Sequence, residues 1–448
     1  MAKKYPPLKS VPGFSWLGIN LGIKDETPDF GVIVSDCKCS AAGVFTRNNI
    51  QGAPVIIGRK HIKDGQLQAI VVNSKIANVA TGQSGIEDAK NMCHWTASSL
   101  GIAPEQVLPS STGVIGVRLP VKKIQSGCKS IPEKLGSTKE HIENFARAIM
   151  TTDTNPKWSY ESIGNATLVG VAKGAGMIEP NMATMLGYFV TDASLSHELL
   201  QKMLVRVVNK SFNRISIDTD TSTSDTVVAL ANGHAGKVNI EKFEEAFTRI
   251  AINLAKEIAR DGEGSKKLIE LTVSGAESQQ MALQIAKSII NSPLVKTAIH
   301  GADPNWGRFV MAVGKVFQYP VNLDELSIQF GSECQGMTVN THFLESRKIN
   351  MDAISKYLQN NELQLNAPSV TDTSFLSVET GILDFSSNVS WEFYVKLDLS
   401  PSNSNNFRFY LTSDNANLKG SLNGYFIRVG ENGSTDKIKL YRQDGINT

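Results

Sequence analysis

The chain has 448 residues, too many for one ordinary core, so two or three domains are expected. Its 45 basic and 43 acidic residues nearly balance, which argues against nucleic acid or an anionic membrane as a partner. Five scattered cysteines, Cys37, Cys39, Cys93, Cys128 and Cys334, suit a reducing compartment better than a disulfide framework.

The first stretch, MAKKYPPLKSVPGF, is basic but broken by prolines, and no apolar run follows it, so it does not read as a signal peptide. No run approaches the ~20 apolar residues of a membrane span. A soluble, cytoplasmic protein is expected. Cys37-Lys38-Cys39 has no second Cys or His pair at zinc-like spacing, and no metal site is expected there or elsewhere. LQAIVVNS, Leu67 to Ser74, is a β-branched apolar run that ends in polar residues, as a buried strand does. His94 beside Cys93 invites a Cys-His nucleophile, but no residue is identifiable to orient the imidazole.

EKFEEAFTRIAINLAKEIARDGEG places Phe243, Ala246, Phe247, Ile250, Leu254 and Ile258 on one helical face and stops at glycine. LIELTVSG, Leu268 to Gly275, reads as a strand, and AESQQMALQIAKSIINS as a helix closed by Pro293. A layered α/β architecture follows. Beyond about residue 362 the pattern changes to period-two alternation in VSWEFYVKLDL, NNFRFYLTSD, GYFIRVGENG and KIKLYRQDG. Trp391, Phe393, Val395 and Leu397 would share one strand face, and Phe407, Phe409 and Leu411 another. Residues 363–448 are expected to be a separate antiparallel β segment, too short for a closed sandwich, and the chain reads as a fusion whose second part is incomplete.

One stretch, KGAGMIEPNMATML from Lys173 to Leu186, fits none of these patterns. Its local options are a turn into a buried strand, a phosphate loop, or a place where the chain acts on itself. No Gly-rich loop with Lys-Ser/Thr exists, which excludes a P-loop. A threonine hydroxyl needs a base, and its own α-amine becomes one when the preceding peptide bond is cut. That amine titrates near ~8 and is partly neutral at physiological pH. Thr184 would attack the Ala183 carbonyl, the acyl group would shift from N to O, and water would cleave the ester. A satisfied Thr on a buried strand is the alternative.

The stretch resembles the processing-site motif of the ornithine acetyltransferase family, the bifunctional glutamate N-acetyltransferases of arginine biosynthesis. Further stretches match in the same order: VFTRN around Phe45, SSTGVIG from Ser110, MTTDTNPK from Met150, DTDTSTSDT from Asp218, RDGEGSKK from Arg260 and GADPNWGR from Gly301. The resemblance covers residue 1 to about 360. It implies a layered α-β-β-α sandwich of the N-terminal-nucleophile type. It also implies a precursor cut between Ala183 and Thr184 into an α chain, 1–183, and a β chain, 184–362, which pair as a heterotetramer of two α and two β chains. By resemblance Thr184 is the nucleophile, Thr112 and Gly113 form the oxyanion hole, and Thr151, Lys173, Thr184 and Glu263 bind substrate. The physical roles agree with those assignments. Acyl transfer passes through oxyanions that need fixed donors. A lysine pairs with an amino-acid carboxylate and a glutamate with its ammonium. Taken alone, STGVIG could be an inert turn, Lys173 a solvated lysine, Thr151 an N-cap and Glu263 a loop carboxylate. DPNWGR is assigned no catalytic role.

The implied reaction moves acetyl from N-acetylornithine to Thr184, releases ornithine, and passes the acetyl to glutamate. No metal or organic cofactor is required, although some relatives also accept acetyl-CoA. Two departures from the family stand out. The match fades after MDAISKYLQNNE, so the family's C-terminal Asn and Thr or Ser contacts have no counterpart here, and Asn447 and Thr448 are treated as coincidence. In NSKIANVATG, Lys75 and Ile76 replace the usual Gly and Asn, which predicts a strained or repacked loop. The alternatives are an aminopeptidase-like hydrolase, in which water resolves the acyl-threonine, a carbohydrate-binding-like tail on the chain, and an inactive fusion product.

Overall fold

The computed structural model describes residues 10–179, 185–303, 305–322 and 326–330, followed by short strands at 337–340, 358–359, 362–363, 407–413, 422–429 and 438–445. The chain forms two compact units, Met1–Val321 and Asn322–Thr448. The first opens with β1 (Phe14–Ile19), β2 (Phe30–Phe45), α1 (Ala53–His61), β3 (Gln66–Asn73), α2 (Gly82–Leu100) and β4 (Val107–Ser111). It continues through α3 (Val121–Cys128), α4 (Ile131–Lys134), α5 (Lys139–Ala148), β5 (Lys157–Ile163), β6 (Ala166–Lys173) and β7 (Leu186–Ala193). It closes with α6 (His197–Lys210), β8 (Thr226–Gly236), α7 (Ile240–Arg260), α8 (Gln279–Ile290), α9 (Pro293–His300) and α10 (Trp306–Gly314).

The strands run in the order β4-β3-β2-β8-β7-β6-β5, with β1 added to β2. The long strand β2 makes the architecture. Its first half pairs with β1 and β3, and its second half, Ser40 to Phe45, pairs with β8. The β2–β3 register breaks between Val34 and Cys39. A bulge of this kind bends and twists a strand, and β2 thereby serves two half-sheets that face each other. Period-two alternation then sorts the side chains into three buried clusters. Phe30, Val32, Ala69 and Val71 face α2 and α3 through Met92, Cys93 and Ile124. Ala42, Val44, Leu168, Phe189 and Ala229 face α6 and α7 through Leu204, Val208, Phe247 and Leu254. Between the half-sheets, Ile33, Ile70 and Val72 meet Val171, Tyr188, Val190, Val228 and Leu230. Phe145 of α5 inserts there, its ring 5.3 Å from that of Trp16 and 5.7 Å from that of Tyr188. The layers are α-β-β-α, as expected.

The helix expected over EKFEEAFTRIAINLAKEIAR is α7. The Asn239 side chain caps it by accepting the Lys242 amide at 2.9 Å, and the six apolar residues of its stripe are all buried. Burying such side chains stabilises by roughly 1.5–3 kcal/mol each, which fixes the helix and therefore the loop that leaves it. The expected strand at Leu268–Gly275 does not form. Among the described residues no strand lies beside it to complete a ladder, and an extended segment without a neighbour leaves its amides to water.

In the second unit, β9 (Ser327–Phe330) pairs with β10 (Met337–Asn340), and β11 (Leu358–Gln359) with β12 (Glu362–Leu363). Then β13 (Phe407–Ser413), β14 (Leu422–Val429) and β15 (Ile438–Gly445) form an antiparallel sheet. The β13–β14 register shifts between Tyr410 and Thr412. Trp391, Phe393, Val395 and Leu397 lie outside the described residues, as do Asn447 and Thr448.

Candidate active site

Ala183 and Thr184, the expected scissile pair, lie outside the described residues together with Pro180, Asn181 and Met182. Both flanks are described, and both are held. On the upstream side, the Asp218 carboxylate accepts the amides of Met177 at 2.6 Å and Ile178 at 2.8 Å. The Glu179 amide donates to the Asp220 carbonyl at 2.8 Å, and Met177 is left-handed at φ 57°. The DTDTSTSDT stretch therefore anchors the approach to the expected cleavage segment. Downstream, Leu186 pairs with Lys173 of β6 on one side and with Thr226 of β8 on the other. The Thr226 amide donates to the Met185 carbonyl at 3.0 Å, and the Met185 amide donates to the Asp225 carboxyl. Lys173, Met185 and Asp225 thus meet at three strand ends, one residue past Thr184.

Asp225 is buried, and among the described residues its Oδ2 has no hydrogen-bond partner. Burial pushes its carboxyl well above the ordinary range, despite the Ser222 hydroxyl, Lys173 and the Met185 amide. Lys173 is densely surrounded. Burial lowers its ammonium pKa, while Asp153, Asp225 and Glu263 pull it back up.

Below Lys173 lies a closed ionic floor. Lys157, at the start of β5, donates to Asp153 Oδ1 at 2.7 Å and to Asp261 Oδ2 at 2.6 Å. Asp153 also accepts the amides of Gly174 at 2.6 Å and Thr151 at 3.1 Å. Asp261 accepts the Thr154 amide at 3.0 Å and the Thr154 hydroxyl. Burial opposes ionising Asp153, but Lys157, Lys173 and the Gly174 amide outweigh it and hold its carboxyl below the ordinary value. This floor ties Thr151 to the base of the Lys173 loop. Glu263 arrives from the loop after α7. Its amide donates to the Ala175 carbonyl at 2.8 Å, and its carboxylate lies so close to Gly176 that a Cβ there would sit 2.5 Å from Oε1. Thr151, Lys173 and Glu263, separated in sequence, are brought together around this loop.

Thr112 and Gly113 follow β4 and pack on the loop after β3. The Thr112 amide donates to the Asn73 carbonyl at 3.0 Å and the Val114 amide to the Lys75 carbonyl at 2.9 Å. Gly113 has φ 128°, and a Cβ on it would lie 2.3 Å from the Lys75 oxygen, so only glycine fits. Among the described residues neither the Gly113 amide nor the Thr112 hydroxyl has a hydrogen-bond partner. Both donors are available, as an oxyanion hole requires. Lys75 itself is left-handed at φ 78°, and Asn78 and Ala80 are left-handed too, so the expected strain in NSKIANVATG is present.

Sequence reasoning missed Lys24, Asp153, Lys157, Asp225 and Asp261. The four beyond Lys24 stand inside quoted motifs, but nothing in a motif says which carboxylate is buried. Lys24 gave no signal. Its ammonium donates to the Met150 carbonyl at 2.7 Å, and burial lowers its pKa while Asp29 and Asp153 raise it and Lys173 and Lys75 lower it. Three lysines therefore share one field near the site. The Cys93–His94 alternative fails on geometry: His94 is exposed, whereas Cys93 is buried, donates to the Val107 carbonyl at 3.5 Å, and has its thiol pushed up by burial.

The sequence profile described as the ArgJ family matches residues 15–373. The chain is 50% identical to arginine biosynthesis bifunctional protein ArgJ 2 of Clostridium acetobutylicum, over 79% of this chain and 90% of that protein. It is 45% identical to glutamate N-acetyltransferase Oat2 of Streptomyces clavuligerus, over 72% of this chain and 82% of that one. Among solved structures, ornithine acetyltransferase of Mycobacterium tuberculosis complexed with ornithine is 30% identical, covering 39% of this chain and 96% of its own, with a TM-score of 0.35. The curated relatives are acyltransferases of arginine biosynthesis, and this chain belongs to the ArgJ family.

Proposed function

We propose that this chain is a glutamate N-acetyltransferase that cleaves itself between Ala183 and Thr184 and then shuttles acetyl from N-acetylornithine to glutamate. The observation that carries the reading is the convergence of Lys173, Met185 and Asp225 at the strand ends bounding the segment, with Thr151 and Glu263 tied to the same loop. Self-cleavage forms the Ala183 C–Oγ bond, breaks the Ala183–Thr184 amide, and moves the hydroxyl proton to the departing nitrogen. Water then hydrolyses the ester, restoring the hydroxyl beside a free α-amine. That amine takes the hydroxyl proton when Thr184 attacks the acetyl carbonyl of N-acetylornithine.

Each tetrahedral oxyanion is met by the Thr112 hydroxyl and the Gly113 amide. Lys173, with Lys24 and Lys75 in its field, attracts the substrate carboxylate, and Glu263 attracts the ammonium. Asp225 positions the nucleophile by holding the Met185 amide, one peptide away. Ornithine leaves with the proton, glutamate attacks acetyl-Thr184, and N-acetylglutamate departs. No metal or organic cofactor takes part, and acetyl-CoA is a candidate second donor.

In this reading residues 1–183 and 184–362 are the α and β chains of a cytoplasmic heterotetramer, and residues 363–448 are a separate β segment. No described helix is long and apolar enough to cross a membrane. Neither the hydrolase nor the inactive-fusion alternative gains support from the relatives. The test is a half-reaction. N-acetylornithine alone should release ornithine in a burst of one per active site and leave an acetyl mass on the Thr184 peptide. Ornithine release only in the presence of glutamate would contradict the covalent route.

A further inference from the structure

Away from this site, the break in the β2–β3 register between Val34 and Cys39 places Asp36 and Cys37 at a bulge. Bulges re-aim side chains that a regular ladder would keep apart. The far end of β8, past its last pairing with β2 at Ala231, brings His234 to the same place. His234 Nε2 lies 2.8 Å from Asp36 Oδ1 and 3.0 Å from Oδ2. One ligand atom each from Asp36, Cys37 and His234 falls within 4.8 Å of the others.

The frame around them is fixed by backbone contacts. The Asp36 amide donates to the Gly13 carbonyl at 2.9 Å, Asn232 Nδ2 to the Pro12 carbonyl at 2.8 Å, and the His234 amide to Asn232 Oδ1 at 3.2 Å. Gly13 is left-handed, and a Cβ there would lie 2.6 Å from the imidazole, so the glycine makes room for the ring. Among the described residues the Cys37 sulfur has only distant partners, the Asn232 carbonyl at 3.8 Å and the Ser35 hydroxyl at 4.0 Å.

We propose that Asp36, Cys37 and His234 form a binding site for a borderline-soft divalent cation of the zinc class. Imidazole nitrogen, thiolate sulfur and carboxylate oxygen are the donors that Zn²⁺ takes, and three protein ligands leave a fourth, tetrahedral position for water. Mg²⁺ and Ca²⁺ want oxygen throughout and are excluded by the donor set. Small movements suffice, because Zn–N and Zn–O distances near ~2.1 Å and Zn–S near ~2.3 Å place such ligand atoms roughly 3.3–3.7 Å apart. The Cys37 thiol gives its proton to solvent as the Zn–S bond forms, and the imidazole binds in its neutral form. His234 lies nine positions past Asp225, roughly 30 Å along the strand, so the cation acts as a staple joining the β2 bulge and the β8 end.

Calorimetric titration of the chelator-treated full chain with ZnCl2, in buffers of different ionisation enthalpy, tests this. The expected result is one cation per chain, about one proton released, and a melting temperature that rises with zinc while acetyl transfer stays unchanged. C37S and H234A should weaken binding by at least about 100-fold, with metal-free melting temperatures near that of the parent chain to show that they fold. MgCl2 should give no saturable heat. Absence of saturable zinc binding by the parent chain, or equal affinity in C37S and H234A, would overturn the proposal.

Discussion

The floor of the site and the wall beside the scissile segment use the same kinds of residue in opposite ways. On the floor, Lys157 is enclosed by Asp153 and Asp261, and all four carboxylate oxygens accept hydrogen bonds. On the wall, Asp225 is as deeply buried but among the described residues leaves Oδ2 without a partner, and the Lys75 loop holds non-glycine residues in left-handed conformations. Completed networks make a rigid base. Unfinished groups, which cost stability, sit beside the segment where cleavage is proposed.

Breaking the floor should have the largest effect. K157M strands two buried carboxylates without a cation and should cost about 3–5 kcal/mol in denaturant unfolding. If the loss is under about 1 kcal/mol, the floor is not the rigid element and the contrast with the wall disappears. D225N should behave differently. It keeps the shape and leaves stability within about 1 kcal/mol at neutral pH. D225A, which removes the acceptor of the Met185 amide, should in addition slow scission, followed on a denaturing gel, on the order of tenfold to 100-fold through loss of positioning.

The pH profile sharpens that distinction. A carboxyl whose folded pKa is raised binds its proton more tightly in the folded state than in the unfolded state. Its stabilising contribution is full below the unfolded value near ~4 and is lost as pH rises through the folded pKa. Replacing Asp225 by Asn should flatten that decline in melting temperature above pH ~4, and an unchanged slope would show that Asp225 titrates normally. The smallest effect belongs to K75G. Removing the Cβ from a left-handed position should stabilise by about 1 kcal/mol, and a loss instead would mean that the strain is not borne at Lys75.

What could be read in advance follows the range of the interaction. The stripe of α7 and the strand at β3 were legible because their apolar periods are local. The run at Leu268–Gly275 has the composition of a strand, but a strand exists only with a neighbour, and no composition supplies one. Lys173, Thr151 and Glu263 were found through motif resemblance. Their partners Asp153, Lys157 and Asp261 stand in the same motifs without a legible pairing, because Lys157 and Asp261 meet only after 104 residues of chain fold back. Cys37-Lys38-Cys39 has no second Cys or His pair at zinc-like spacing, and the proximity of His234, 198 residues beyond Asp36, arises only when β8 folds beside β2.

In the proposed mechanism Thr184 gains its base by scission of its own backbone. Intact-mass analysis of the purified protein should give two polypeptides, the second beginning at Thr184, and T184A should give one uncut chain that transfers no acetyl. A single unbroken chain with full acetyl transfer, or a T184A protein still cut at the same bond, would contradict the account.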